Sequence, residues 1–219
     1  MPGDLLRRWM VVSRGFQVRA ARSPDIKQIR SLTAPYVEQR LLVAKEPVSY
    51  YESLPEFLVA VDGDNAVIGC GAIHVMWDGL GEIRTLATAP AWRGQGVGRR
   101  LVEGLIERAR EFDLRRLFCL TFEVAFFSAY GFQPIEGIPV TRGVYEQLLR
   151  SHDDGVAEFL DLARVKPNTL GNTRMLLHIT SSVPEGQTPW LRAAREPEGQ
   201  TPWLRAAREP EGQTPWLTP

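Results

Sequence analysis

The sequence of 219 residues is short of several things, and each shortage excludes a class of protein. It holds only two cysteines, Cys70 and Cys119, both inside apolar runs and neither at metal-ligand spacing. A disulfide framework and a cysteine-held metal are thereby excluded, and two buried free thiols are expected, in keeping with a reducing compartment. No apolar run approaches the ~20 residues of a membrane span. The opening stretch "MPGDLLRRWMVVSRG" carries no signal-peptide apolar region, so a cytoplasmic protein is expected, with Met10 an alternative start. Net charge is also missing: lysine plus arginine number 26, as do aspartate plus glutamate. A balanced chain has no overall attraction to nucleic acid or to an acidic membrane, and neither is expected as a partner.

What is present begins with "ATAPAWRGQGVGRRL" at 87–101. Glycines directly before a helical pattern let the backbone approach a ligand and aim free N–H groups at it, and the usual ligand is a phosphate. Two familiar phosphate loops are ruled out. The glycines stand at Gly94, Gly96 and Gly98, which is not G-x-G-x-x-G, and no acidic residue ends a strand about twenty residues on. No lysine followed by serine or threonine is there to make a nucleotide P-loop.

Around this loop the pattern is mixed α and β. "FQVRAA" reads as a strand. "SPDIKQIRSLTAPYVEQRLL" reads as a helix, with Ser23 as its cap and Pro24 in first position. "EFLVAVDGDNAVIGCGAIHVMW" reads as a hairpin turning at 62–65, and "GEIRTLATAP" as the next strand. After the glycines, Val97, Leu101, Leu105, Ala109 and Phe112 mark one face of a helix. "RRLFCLTF" reads as a strand, "VAFFSAY" as a short helix stopping at Gly131, and "FQPIEG" as a strand. "TRGVYEQLLRS" and "GVAEFLDLAR" read as helices and "RMLLHIT" as a closing strand. The chain ends in a thirteen-residue repeat, "EGQTPWLRAAREP", at 185–197 and 198–210, with a third copy begun at Glu211. Two readings stand: a disordered tail left by in-frame duplication, or Trp190, Trp203 and Trp216 as weak multivalent anchors. The expected organisation is a disordered leader at 1–14, one folded domain at 15–180 and a low-complexity tail at 181–219.

Read whole, "LATAPAWRGQGVGRRLVEGLI" resembles the acetyl-coenzyme A motif of the GCN5-related N-acetyltransferase (GNAT) superfamily, at Leu86, Pro90, Arg93, Gly96 and Gly98. "FFSAYGF" at 126–132 is similar to the superfamily's second landmark, a short helix ending in Gly-Phe. The flanks, above all "FLDLARVKPNTLGNTRMLL", resemble the short actinobacterial N-acetylglutamate synthases from about Phe16 to Leu177. The resemblance implies an α/β fold with a central, splayed, mostly antiparallel sheet flanked by helices. It implies acetyl-CoA as co-substrate and no metal, with Leu86, Ala87 and Thr88 along the pantetheine arm. It places the pyrophosphate at Arg93, Gly94, Gln95, Gly96, Val97, Gly98 and Arg99. The implied reaction acetylates L-glutamate, the entry step of arginine biosynthesis; glutamine or another small amine, or a non-catalytic CoA-binding module, are the alternatives. A homodimer is the assembly kept open. The sequence departs from many GNAT enzymes at Phe127, where a thiolate-protonating tyrosine is common, and Tyr130 lies one turn on. The chain also has no room for the kinase-like domain that senses arginine in longer synthases.

The substrate side can be weighed on chemistry. An α-ammonium must lose a proton before it attacks, and peptide α-amino groups titrate at about 7.7–8.0, so a base is useful. Glu82 and Arg84, two apart on one strand, share a face. Glu82 is the first candidate base, unless it only partners Arg84. His74 is the second, unless it is a hydrogen-bonded core histidine. Arg84 is expected to bind a substrate carboxylate. Lys45, Lys166 and Arg174 join it because the resemblance places their segments around the amino-acid pocket.

Overall fold

The computed structural model describes residues 11–13, 15–169 and 171–179. The sheet has eight strands: β1 (Val11–Ser13), β2 (Phe16–Ala20), β3 (Phe57–Asp62), β4 (Val67–Trp77), β5 (Leu80–Thr88), β6 (Arg116–Thr121), β7 (Gln133–Pro134) and β8 (Thr173–His178). Their order across the sheet is β1-β2-β3-β4-β5-β6-β8-β7. Every neighbouring pair is antiparallel except β5 and β6. The helices are α1 (Asp25–Glu38), α2 (Pro47–Glu52), α3 (Val97–Glu111), α4 (Val124–Ser128), α5 (Arg142–Leu148), α6 (Asp154–Phe159) and α7 (Lys166–Thr169). Among the described residues no helix is long and apolar enough to cross a membrane.

Strand alternation explains the layers. On β3, Phe57, Val59 and Val61 pack with Ile26 and Ile29 of α1, while Leu58 and Ala60 pack with Leu101 and Leu105 of α3. A third cluster joins Phe118 of β6 and Leu176 of β8 to Leu148, Val156 and Phe159 of α5 and α6. Helix α3 lies very close to β4. A Cβ on Gly69 would stand 2.6 Å from a Val97 methyl, so that position admits only glycine without a shift of the helix.

Two features of β5 shape the site. Its parallel pairing with β6 covers only residues 80–82 against 116–118. Beyond Glu82 the two strands part, which is the splay expected from the resemblance. On the other edge, Arg84 pairs with Ala72 and Ala87 with Cys70, so Thr85 and Leu86 together oppose Gly71. This is a bulge, and Thr85 sits in it at φ 55. A non-glycine residue there costs on the order of 1–3 kcal/mol and re-aims the strand just before the glycine loop.

The hairpin turn is where the sequence puts it: Asp62 Oδ1 accepts from the N–H groups of Asp64 (3.0 Å) and Ala66 (2.9 Å). Cys70 and Cys119 are buried and free. Three readings need correction. Ser23 does not cap α1. The helix starts at Asp25, whose carboxylate accepts from Arg22 N–H at 2.7 Å and from the Arg19 guanidinium, and Pro24 takes the cap position. Phe112 is 46% exposed, because α3 stops at Glu111 and the chain reverses at Asp113, φ 54. Val11–Ser13, within the expected leader, pairs with β2 as an edge strand. The rest of that leader, and the repeat tail, lie outside the described residues.

Candidate active site

The glycine loop works through its backbone. Gly94 and Gly96 have φ 74 and 84, and nothing lies within 4 Å of where a Cβ would be on either. Gly96 is the N-cap residue of α3, and no side-chain hydrogen bond caps that start. The first N–H groups of a fifteen-residue helix therefore open onto a surface that a phosphate can approach. The positive end of the helix dipole adds about 0.3–1 kcal/mol toward an anion. Gly98 lies under Phe126, its Cβ position 3.6 Å from that ring and from Thr88 Oγ1. Tyr36 of α1 braces the loop: its hydroxyl donates to Thr88 O and accepts from Arg93 Nη2 at 3.0 Å, with the Arg93 guanidinium 5.4 Å from the ring centre. Leu86, Ala87 and Thr88 run along the part of β5 that β6 has left. The loop thus fits a pyrophosphate and an extended arm as the resemblance implies. Tyr36 has no spacing signal in the sequence that could have shown its role.

At the other end of β5 stands a half-buried cluster of charges. His74 on β4 pairs directly across from Glu82 on β5. Its Nδ1 lies 2.7 Å from Glu56 Oε1 and its Nε2 3.9 Å from Asp153 Oδ2. Arg84 donates from Nη2 to Glu56 Oε2 and from Nη1 to Asp153 Oδ2, both at 2.8 Å, with Glu82 Oε2 3.9 Å from Nη1. Glu56 comes from the single helical turn before β3, and Asp153 is the N-cap of α6, accepting from Val156 N–H at 3.1 Å. Lys45, from the loop between α1 and α2, adds its charge to the same group.

Burial sets the protonation here. It takes the Glu82 carboxyl out of water and pushes it up to about 7; Asp153 adds to the rise, while Arg84, Lys45 and His74 oppose it. Glu158 of α6 is pushed up to about 8, by burial and then by the charge of Glu82. Burial would raise Glu56 and Asp153 too. Hydrogen bonds and charge from His74 and Arg84 hold Glu56 down, and Arg84 chiefly holds Asp153 down. Burial, then Arg84, lowers Lys45. The Glu82 carboxylate also leans directly on α6. A Cβ on Gly155 would lie 2.1 Å from Glu82 Oε2.

Of the candidates named from sequence, Glu82, His74, Arg84 and Lys45 come together. The Arg84 fork is engaged by two carboxylates of the protein itself. Lys166 and Arg174 do other work. Lys166 is exposed and pairs with Asp161, and Arg174 donates to the carbonyls of Gly137 and Phe159, tying β8 to the loop before α5 and to the end of α6. Glu56, Asp153, Gly155 and Glu158 were missed. Phe127 is in the core, 5.3 Å from the Phe132 ring, and can donate no proton. Tyr130 packs on Phe126 at 5.4 Å, and burial raises its phenol. Among the described residues no group of three or more metal-binding side chains is found.

Comparison with known proteins places this geometry. The acetyltransferase (GNAT) family profile matches residues 24–132. An amino-acid acetyltransferase from Mycobacterium tuberculosis is 51% identical over 162 residues, covering 73% of this chain and 92% of that protein. The chain belongs to the GNAT acetyltransferase family. It is an N-acetyltransferase with acetyl-CoA as co-substrate. The crystal structure of Rv2747 from M. tuberculosis, in complex with CoA and NLQ, shares 50% identity at a TM-score of 0.72, over 74% of this chain and 99% of that one. N-acetylglutamate synthase from Neisseria gonorrhoeae, complexed with coenzyme A and N-acetyl-glutamate, shares the fold at a TM-score of 0.61 and 23% identity, over 78% of this chain and 36% of that one.

Proposed function

We propose that the protein transfers the acetyl group of acetyl-CoA to the α-amine of L-glutamate, giving N-acetylglutamate and CoA at the entry to arginine biosynthesis. The observation that carries this reading is Glu82: a buried carboxyl at the point where β5 leaves β6, pushed up to about 7, with Arg84 and Lys45 beside it. A base with that pKa is half ionised near neutral pH and matched to removing an ammonium proton. Glu82 takes that proton; the freed amine attacks the thioester carbonyl; the C–S bond breaks and the thiolate of CoA leaves, to be protonated in turn. Lys45 is the cation nearest to hand for a substrate carboxylate, since Arg84 is engaged by Glu56 and Asp153. The relatives' names support the amino-acid class of substrate.

L-Glutamine is the second reading, and one feature favours it. Glu56 and Asp153 are acceptors held ionised, and a side-chain amide can donate to them where a carboxylate would be repelled. Thiol release from acetyl-CoA, measured with a panel of free amino acids, separates the readings. Glutamate is expected to give the highest kcat/KM, rising with pH through about 7 as Glu82 ionises. Preference for glutamine moves the substrate to the second reading, and no release with either removes both.

A further inference from the structure

Glu158 lies on α6 three residues past Gly155, and residues three apart share a helix face. Gly155 is where the Glu82 carboxylate rests on that helix. Two carboxyls, 4% and 6% exposed, are therefore gathered at one face of one short helix. Each leaves an oxygen buried with no hydrogen-bond partner among the described residues: Oε2 of Glu82 and Oε1 of Glu158. Two ionised carboxyls so placed would repel each other in a setting with little water. A protonated carboxyl is a donor and an ionised one an acceptor, so a single proton would serve both.

We propose that Glu158 is a positioning residue for the base: it keeps its proton and offers its O–H to the Glu82 carboxylate, which lets Glu82 ionise while buried and accept the proton of the substrate amine. The proposal rests on Glu82 being the base. The charges that face this pair are Arg84 on the strand of Glu82, His74 on β4, Lys45 before α2, Glu56 before β3, and Asp153 and Asp154 at the start of α6. Burial raises both carboxyls, and the charge of Glu82 raises Glu158 further, so the shared proton belongs on Glu158.

The test compares pH profiles of kcat/KM for the amino acid in the full-length wild type, Glu158→Gln and Glu158→Leu, with acetyl-CoA affinity as the check on folding. Leucine removes the donor, so the acidic limb should move up by about one pH unit, lowering kcat/KM at pH 7 roughly fivefold. Glutamine keeps an N–H donor and should hold the limb close to wild type. A Glu158→Leu enzyme that binds acetyl-CoA normally and keeps the wild-type limb overturns the proposal. If leucine prevents folding, infrared spectra at pH 7 decide: the C=O band of a protonated buried carboxyl should be weaker in Glu158→Gln than in wild type, and an equal band overturns the proposal. Glu82→Gln separates the two levels. An active Glu82→Gln enzyme with the acidic limb intact removes the base and this proposal with it; an inactive one leaves the Glu158 result to stand by itself.

Discussion

The two ends of β5 are built in opposite ways. Past its C-terminal end the loop proposed to hold the cofactor is one contiguous stretch, 93–99, mostly exposed, and it offers backbone N–H groups and two left-handed glycines. Toward its start the charged cluster is assembled from five separate segments. It is half-buried, and it presents side chains whose protonation depends on one another. The difference follows from the chemistry each end performs. A pyrophosphate carries fixed charge, and a helix start can hold it whatever side chains surround it. An ammonium must give up a proton, and that needs one carboxyl whose affinity for protons is set by burial and by named neighbours.

Breaking each end by its own logic should separate binding from chemistry. The largest effect is expected at Glu82. Glu82→Gln keeps the shape and removes the base, so kcat/KM for the amino acid should fall by roughly 10²–10⁴, while calorimetry should find acetyl-CoA affinity unchanged. A loss of acetyl-CoA binding with turnover preserved would reverse the division of labour between the two ends.

The counterpart in the loop is Gly96→Asp. There is open space for the side chain, so the protein should still fold, with some strain at φ 84. The cost falls on the ligand. Like charges about 5 Å apart at an effective dielectric near 20 repel by about 3 kcal/mol, roughly a hundredfold in affinity. Calorimetry with acetyl-CoA measures it, and unchanged binding would remove the loop from the cofactor site.

Gly155→Ala sharpens the comparison, because local and tertiary rules give opposite answers. Within a helix, alanine is favoured over glycine by about 1 kcal/mol. Yet the new methyl would arrive 2.1 Å from Glu82 Oε2, well inside contact distance. The contact should win, shifting the carboxylate and lowering kcat/KM by about tenfold with acetyl-CoA affinity untouched. A more stable enzyme of wild-type activity would mean that Glu82 does not need its seat on α6.

The same contrast decides what could be read in advance. The loop was legible because its glycines, its arginine and the helix behind them are consecutive. Glu82 and Arg84 were legible as a pair because strand alternation puts them on one face, and their 3.9 Å approach bears that out. Glu56 and Asp153 carry no such signal. One follows a proline at a strand entrance and the other is a helix cap, and only docking of those elements brings both to Arg84. Glu158 is an ordinary glutamate in a helical pattern until α6 packs on β5 and buries it. Lys166 and Arg174 show the reverse failure. Their segment suggested a pocket, but their charges are taken up by Asp161 and by two backbone carbonyls.

The smallest effect is expected from removing everything after Thr180. Strand β8 pairs with β6 along its whole length, from Thr173 opposite Thr121 to His178 opposite Arg116. One further bond, from Ile179 N–H to Arg115 O at 2.8 Å, closes the sheet. Every described element that touches the glycine loop or the charged cluster lies before that point. The tail that follows repeats the same thirteen residues, and identical copies cannot each fill a different niche in a core, where volume and shape differ at every position. The truncated protein should therefore keep kcat/KM within about twofold and stability within about 0.5 kcal/mol, as for changes remote from packed features. Urea unfolding and thiol release measure the two. A truncated enzyme that unfolds with the wild-type midpoint but has lost most of its turnover would bring the tail, with Trp190, Trp203 and Trp216, into the active site as a third region beside the two ends of β5.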